Sequence, residues 1–113
     1  MAKKQFRLRA DQIEQLVPTA GCFATDTITV DGRKVGYMYR EEPDFDGDSG
    51  WRFLAGDESQ EYLDDEQNLH IEVYDVNTIA NYDPEIIPFL EAPIGSSFER
   101  DADSGEFVEV EDE

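Results

Sequence analysis

The chain has one cysteine, one histidine and one tryptophan, and 9 basic residues against 28 acidic ones. Each shortage excludes something. With Cys22 alone, no disulfide can close within the chain, which fits a reducing compartment. One cysteine and one histidine, far apart in sequence, cannot supply a zinc site. A cysteine nucleophile would have only His70 as a base. Cys22 lies among Ala20, Gly21 and Phe23 and reads as a small core position, while His70 falls with Glu72 on the polar side of a strand. Gly95-Ser96-Ser97 lacks the G-x-S-x-G elbow, and neither a phosphate loop nor a dinucleotide fingerprint occurs. With 28 acids, carboxylates meet by chance, and none is flanked by the apolar run that would raise a pKa;. The expectation is no enzyme, no cofactor and no bound metal.

Long hydrophobic runs are also missing. The longest stretch without charge, residues 15–25, contains Pro18 and Gly21 and is too short for a bilayer;. The opening MAKKQFRLRA has no apolar segment after its basic residues and does not read as a signal peptide;. A cytoplasmic protein is expected. The scarcity of bases leaves a formal net charge of −19, which repels nucleic acid and anionic membranes and attracts a basic protein partner;.

What is present suits a folded chain. Its 113 residues are 39% hydrophobic and 12% aromatic, more than an acidic disordered chain carries;. One domain over residues 1–113 is expected, with residues 1–5 and 109–113 as loose ends. Phe6 and Leu8 alternate with arginines as in a strand. Residues 10–17 read as a short helix, Ile13, Leu16 and Val17 sharing a face and Pro18 ending it. ATDTITVDGRKVGYMYR reads as a hairpin about Asp31-Gly32. It would pair Ile28 with Val35 and Asp26 with Tyr37, turning Tyr37 and Tyr39 inward and Met38 outward. Residues 51–55 read as a strand with Trp51, Phe53 and Ala55 on one face and Arg52 and Leu54 on the other. Tyr62 and Leu63 fall in one helical turn, and residues 69–76 alternate as a strand. Asp83-Pro84 is an N-cap followed by proline at the first helical position, and Pro88 should kink or split that helix. Two short strands flank DADSG near the end. The sum is an α+β fold with a mostly antiparallel sheet of five or six strands and one or two short helices.

The acids cluster. Residues 41–66 hold eleven acids and one base, Arg52, and residues 99–113 hold eight acids and one base, Arg100. Asp44, Asp46 and Asp48 match the first three ligand positions of an EF-hand loop, but Ser49 stands where glycine is needed and Ala55 where the bidentate glutamate is needed. Trp51 has two readings, as a core residue packed with Phe53 or as a hot spot between acidic loops. Alternation favours the core, which leaves the loops as the place for function.

Several short motifs then line up. Gly50-Trp51-Arg52-Phe53, Gly56-Asp57-Glu58, Tyr62, Asn77-Thr78-Ile79, Asp83-Pro84, and Gly95-Ser96 with Phe98-Glu99-Arg100 resemble the immunity-protein-33-like family of bacteria, otherwise catalogued as a domain of unknown function. The resemblance spans about residues 20–100 and implies a single α+β domain. Some relatives are associated with toxin systems in which they are predicted to neutralise a cognate toxin; no catalytic residue carries over. The reading is an acidic, non-catalytic, immunity-type binding protein that occludes a basic partner through Asp44, Asp46, Asp48, Asp57, Glu58, Asp64 and Asp65. The alternative is a cytoplasmic domain that binds a small ligand or calcium weakly through its acidic loop. Acid excess also serves solubility or a high-salt host.

Overall fold

The computed structural model describes residue 8 and residues 12–56, 58–63, 70–101 and 103–110. Six strands form one sheet: β1 (Gly21–Thr25), β2 (Tyr37–Arg40), β3 (Asp48–Leu54), β4 (Ile71–Asp75), β5 (Ser97–Arg100) and β6 (Phe107–Glu109). Their spatial order is β4-β1-β3-β2-β5-β6. Only β1 and β3 run parallel; every other neighbouring pair is antiparallel. Among the described residues, three short helices, α1 (Asp26–Thr29), α2 (Gln60–Leu63) and α3 (Val76–Tyr82), and a 3-10 helix over Pro84–Phe89 accompany the sheet. The architecture is α+β with a mixed, mostly antiparallel sheet, and it carries more helical pieces than the one or two expected.

The core lies between the sheet and the layer made by α1, α3 and the 3-10 helix. Cys22 and Ala24 of β1, Met38 of β2, Trp51 and Phe53 of β3 and Phe98 of β5 point into it, where Ile28, Ile79 and Ile86 meet them. Trp51 is 1% exposed, so the indole is a core residue, and its Nε1 donates to the Leu90 carbonyl at 3.1 Å. That bond satisfies the one polar atom the ring takes out of water. The expected cap also forms: the Asp83 side chain accepts from the Glu85 amide, and Pro84 opens the helix. Pro88 lacks the amide that an α-helix would use, and the segment is 3-10 throughout;.

Four local expectations are overturned. The hairpin about Asp31-Gly32 does not form. After Thr25 the chain turns into α1, and the Val30, Asp31, Gly32 and Arg33 amides bond back to Asp26, Ile28 and Thr27 carbonyls. Tyr37 therefore pairs with Leu54 and Glu99 rather than Asp26, and Met38, fully buried, is the inward residue of β2. The physical reason is the tertiary environment: Ile28 buries itself against α3 from a helix as well as from a strand, and alternation of β-branched residues does not distinguish the two over four positions.

Residues 13–17, expected as the greater part of a helix, have no regular structure; residues 10 and 11 lie outside the described residues. Their backbone groups go elsewhere. Asn77 Oδ1 accepts from the Leu16 and Val17 amides at 2.7 and 3.0 Å, and Asn77 Nδ2 donates to the Glu14 carbonyl at 2.8 Å. Asn81 takes the Glu14 amide at 2.9 Å and donates to its carbonyl at 2.8 Å. Two α3 side chains thus replace the helix's own ladder. Leu8 is not in a strand; its amide donates to the Tyr82 hydroxyl at 3.0 Å, and Phe6 lies outside the described residues.

In β4 the apolar residues face away from the helices: Ile71 is 37% and Val73 54% exposed, while Tyr74 packs against the core. Glu109, expected in a loose end, pairs with Phe98 in β6. Residues 1–5 and 111–113 lie outside the described residues.

Candidate functional site

The helices cover one face of the sheet. On the other, the register brings Val73, Phe23, Arg52 and Tyr39 across β4, β1, β3 and β2, with Tyr37 opposite Leu54 beside them;. Sequence alternation places Arg52 on the face opposite Trp51 and Phe53, and there it is only 4% exposed. The acidic loop before β3 folds over it. Arg52 Nη1 donates to Asp48 Oδ1 at 3.0 Å and Nη2 to Oδ2 at 2.8 Å, a two-pronged pair;. Nε donates to Glu41 Oε2 at 2.6 Å, and Nη1 also reaches the Trp51 carbonyl at 3.0 Å. Asp44 lies 3.5 Å from Nη2, and the guanidinium stacks 4.5 Å above the Phe23 ring.

The loop's geometry makes this possible. Gly50 sits at φ +89°, and a Cβ there would come within 2.1 Å of the Glu41 carbonyl oxygen. The glycine lets the two ends of the loop close together, so that Glu41 and Asp48 converge on one guanidinium. The Asp48 carboxylate also accepts from the Asp44 amide at 2.8 Å and the Gly50 amide at 2.9 Å. The Arg52 bond holds the Asp48 carboxyl far below the usual range, overcoming burial, with the two amides adding to it;. Burial works against the Arg52 charge, and the bonds from Asp48 and Glu41 outweigh it, so the guanidinium pKa is raised.

A second acid is used in the same way. Glu58 accepts from the Thr25 and Thr27 hydroxyls, each at 2.7 Å, and from the Ala55 and Gly56 amides at 2.7 and 2.9 Å. It ties the loop after β3 to the end of β1. Burial raises its pKa, but the bonds from Thr25 and Thr27 and then from the Ala55 amide prevail and lower it.

The structure therefore separates the acids read from the sequence. Asp48 and Glu58 have their carboxylates taken up inside the fold. Asp44 and Asp46 are exposed on the loop between β2 and β3. Asp57, Asp64 and Asp65 lie outside the described residues. Glu41 was not singled out by sequence reasoning, although it anchors the cluster. The available signal was Arg52 itself, the lone base in an acidic stretch and placed between two large aromatics.

Around the cluster the open face is apolar and aromatic. Phe45, from the acidic loop, meets Phe23 edge-on at 5.9 Å and stays 37% exposed. Tyr37 and Tyr39 lie 5.6 Å apart. Burial, and then the Glu41 carboxylate, push the Tyr39 hydroxyl pKa up. A cavity of about 320 Å³ opens here, lined by Phe23, Thr25, Tyr39, Glu41, Arg52, Leu54, Leu63 and Ile71.

Other chemistry is poorly served. The Asp44-Asp46-Asp48 run does not converge as a calcium loop, because both Asp48 oxygens already hold a guanidinium. Among the described residues no group of three His, Cys, Asp or Glu side chains could hold a metal ion. The Cys22 side chain is fully buried, and burial raises its thiol pKa. His70 stacks on Tyr62 at 3.9 Å and lies 3.5 Å from Asp26. Among the described residues no helix is long and apolar enough to cross a membrane.

The family model described as the Immunity protein Imm33 domain matches residues 22–111, which takes in the sheet, the acidic loop and the Arg52 cluster. The chain belongs to this family of immunity-type proteins. No curated protein and no solved structure matches the chain.

Proposed function

We propose that this chain is a non-catalytic immunity protein of the cytoplasm that binds a toxin and covers a basic surface on it. The observation that carries the reading is the acidic loop between β2 and β3, clamped onto the open face through Arg52. Asp44 and Asp46 are its exposed anionic contributors. Asp48 holds the loop that presents them, Glu58 holds the loop after β3, and Asp57, Asp64 and Asp65 are added on sequence grounds alone. A toxin that grips phosphates is basic where it grips them, and a net charge of −19 steers such a partner in;.

The test is co-expression with a candidate toxin, sought first among the genes next to this one. Growth should be restored, and the purified pair should form a complex whose association slows steeply as salt rises from about 0.05 to 0.5 M, because the Debye length shrinks several-fold. No rescue and no complex at low salt would sink the reading.

A further inference from the structure

The cavity on the open face has a chemical bias of its own. Its walls are carbon: Phe23, Leu54, Ile71 and, from α2, Leu63. Its polar end is Arg52 with Glu41. Arg52 offers nothing to an anion, because Asp48, Glu41 and the Trp51 carbonyl take its donors and Asp44 flanks it. Three carboxylates, Glu41, Asp44 and Asp48, surround the one guanidinium and more than neutralise it, so that end is anionic. Glu41 keeps 48% of its side chain exposed and Asp44 68%. An occupant must therefore be apolar along its length and cationic at its head, which describes a lysine or arginine side chain. The volume, about 320 Å³, sits at the low end of the roughly 300–1,000 Å³ typical of small-ligand sites, a size for one long side chain;.

We infer that this cavity receives an arginine or lysine side chain of a partner protein, its stem against Phe23, Leu54 and Ile71 and its head at Glu41. A protein side chain is favoured over a free amine because exposed apolar ground adjoins the cavity. Val73 and Phe45, 54% and 37% exposed, lie to either side of Phe23, and Tyr37 stands beside Tyr39. Residues flanking the inserted cation would rest there, as around an interface hot spot. Only the naming of the partner as a toxin rests on the immunity reading; the recognition chemistry does not.

The experiment is a ¹⁵N NMR titration of the full chain with the acetyl-Leu-Arg-Leu-amide peptide, with its citrulline counterpart, and with spermidine. The arginine peptide should shift the Phe23, Leu54 and Ile71 amides saturably, and citrulline should bind about tenfold more weakly, the scale of a charged hydrogen bond. Ile71→Lys and Ile71→Glu remove the same packing and differ in sign, so Ile71→Lys should bind the peptide about tenfold more weakly than Ile71→Glu. Melting curves of both variants establish that they fold.

Equal binding of the two peptides would overturn the inference. So would shifts spread over distant acids such as Asp103 and Glu106, or equal affinity of the two Ile71 variants for the peptide. Spermidine binding as tightly as the arginine peptide would overturn the assignment to a protein side chain. The titration needs no toxin: peptide binding without growth rescue would fell the immunity reading and leave the cavity. Undiminished protection by Ile71→Lys would fell the cavity and leave the immunity reading.

Discussion

Arg52 and Asp48, four residues apart on β3, form a two-pronged ion pair with both side chains withdrawn from water, 5% and 0% exposed. Glu41 completes the arrangement from the far side of the acidic loop. The pair holds the loop onto the sheet. Removing one member of a buried pair leaves the other charge without compensation, which costs about 3–5 kcal/mol. Asp48→Asn should destabilise the fold by that amount in urea unfolding. Combining Asp48→Leu with Arg52→Met should recover part of the loss. A change below about 0.5 kcal/mol for Asp48→Asn, the range of an ordinary surface substitution, would mean that the pair contributes nothing to stability.

Acid should weaken the protein through the same carboxylates. Asp48 and Glu58 both have folded-state pKa values below their unfolded ones, chiefly because Arg52 bonds the first and the Thr25 and Thr27 hydroxyls bond the second. A lowered folded pKa means that the unfolded chain takes up protons first. The stabilisation is therefore complete above the ordinary carboxyl range of about 4 and is lost as pH falls through the folded values. Unfolding free energy measured from pH 7 to 3 should stay high to about pH 5 and then decline. Glu58→Gln should cost about 1–3 kcal/mol at pH 7 and flatten the decline, since amide chemistry cannot accept four donors as the carboxylate does. An unchanged slope in this variant would contradict the assignment.

Trp51 provides an optical reading of the core. It is the only tryptophan and is 1% exposed, stacked beside Phe53 at 6.1 Å. Native emission should be blue-shifted and resist acrylamide quenching, with both properties lost on unfolding. Trp51→Ala should cost about 3–5 kcal/mol. Emission at the wavelength of free indole in the native state would place the ring in solvent, against the fold described above.

Gly36 marks the closest approach of two backbones. A Cβ there would lie 1.9 Å from the Ala55 carbonyl oxygen, an atom fixed by the end of β3. Gly36→Ala should therefore destabilise by about 3 kcal/mol or more, the upper range of overpacking, although alanine elsewhere usually stabilises relative to glycine. A thermal melt equal to that of the parent would show that the loop after β3 gives way freely.

Some elements were legible because their signals are local. The Trp51 and Phe53 alternation marks β3, Asp83-Pro84 marks the start of the 3-10 helix, and the two strands around DADSG pair as β5 and β6. Each depends on side-chain spacing or on backbone chemistry that acts within a few residues. No helix is expected from the sequence where the seven-residue α3 forms; its one local sign is Asp75, whose side chain caps the Asn77 amide at 2.9 Å. The segment 13–17 looked helical by the same local rules and lost that form because Asn77 and Asn81, more than sixty residues away, supply its hydrogen bonds.

The acidic site divides along the same line. By itself the sequence determined the net charge, the α+β class, the burial of the tryptophan strand and the family, because composition, short-range spacing and linear motifs require no knowledge of what lies across the sheet. Only the tertiary structure decided which carboxylates reach solvent. Arg52 gathers Glu41 and Asp48, and Glu58 turns inward to Thr25 and Thr27. Those choices depend on which loops the sheet order β4-β1-β3-β2-β5-β6 brings together, and Coulomb and hydrogen-bond energies act over ångströms in space rather than along the chain;.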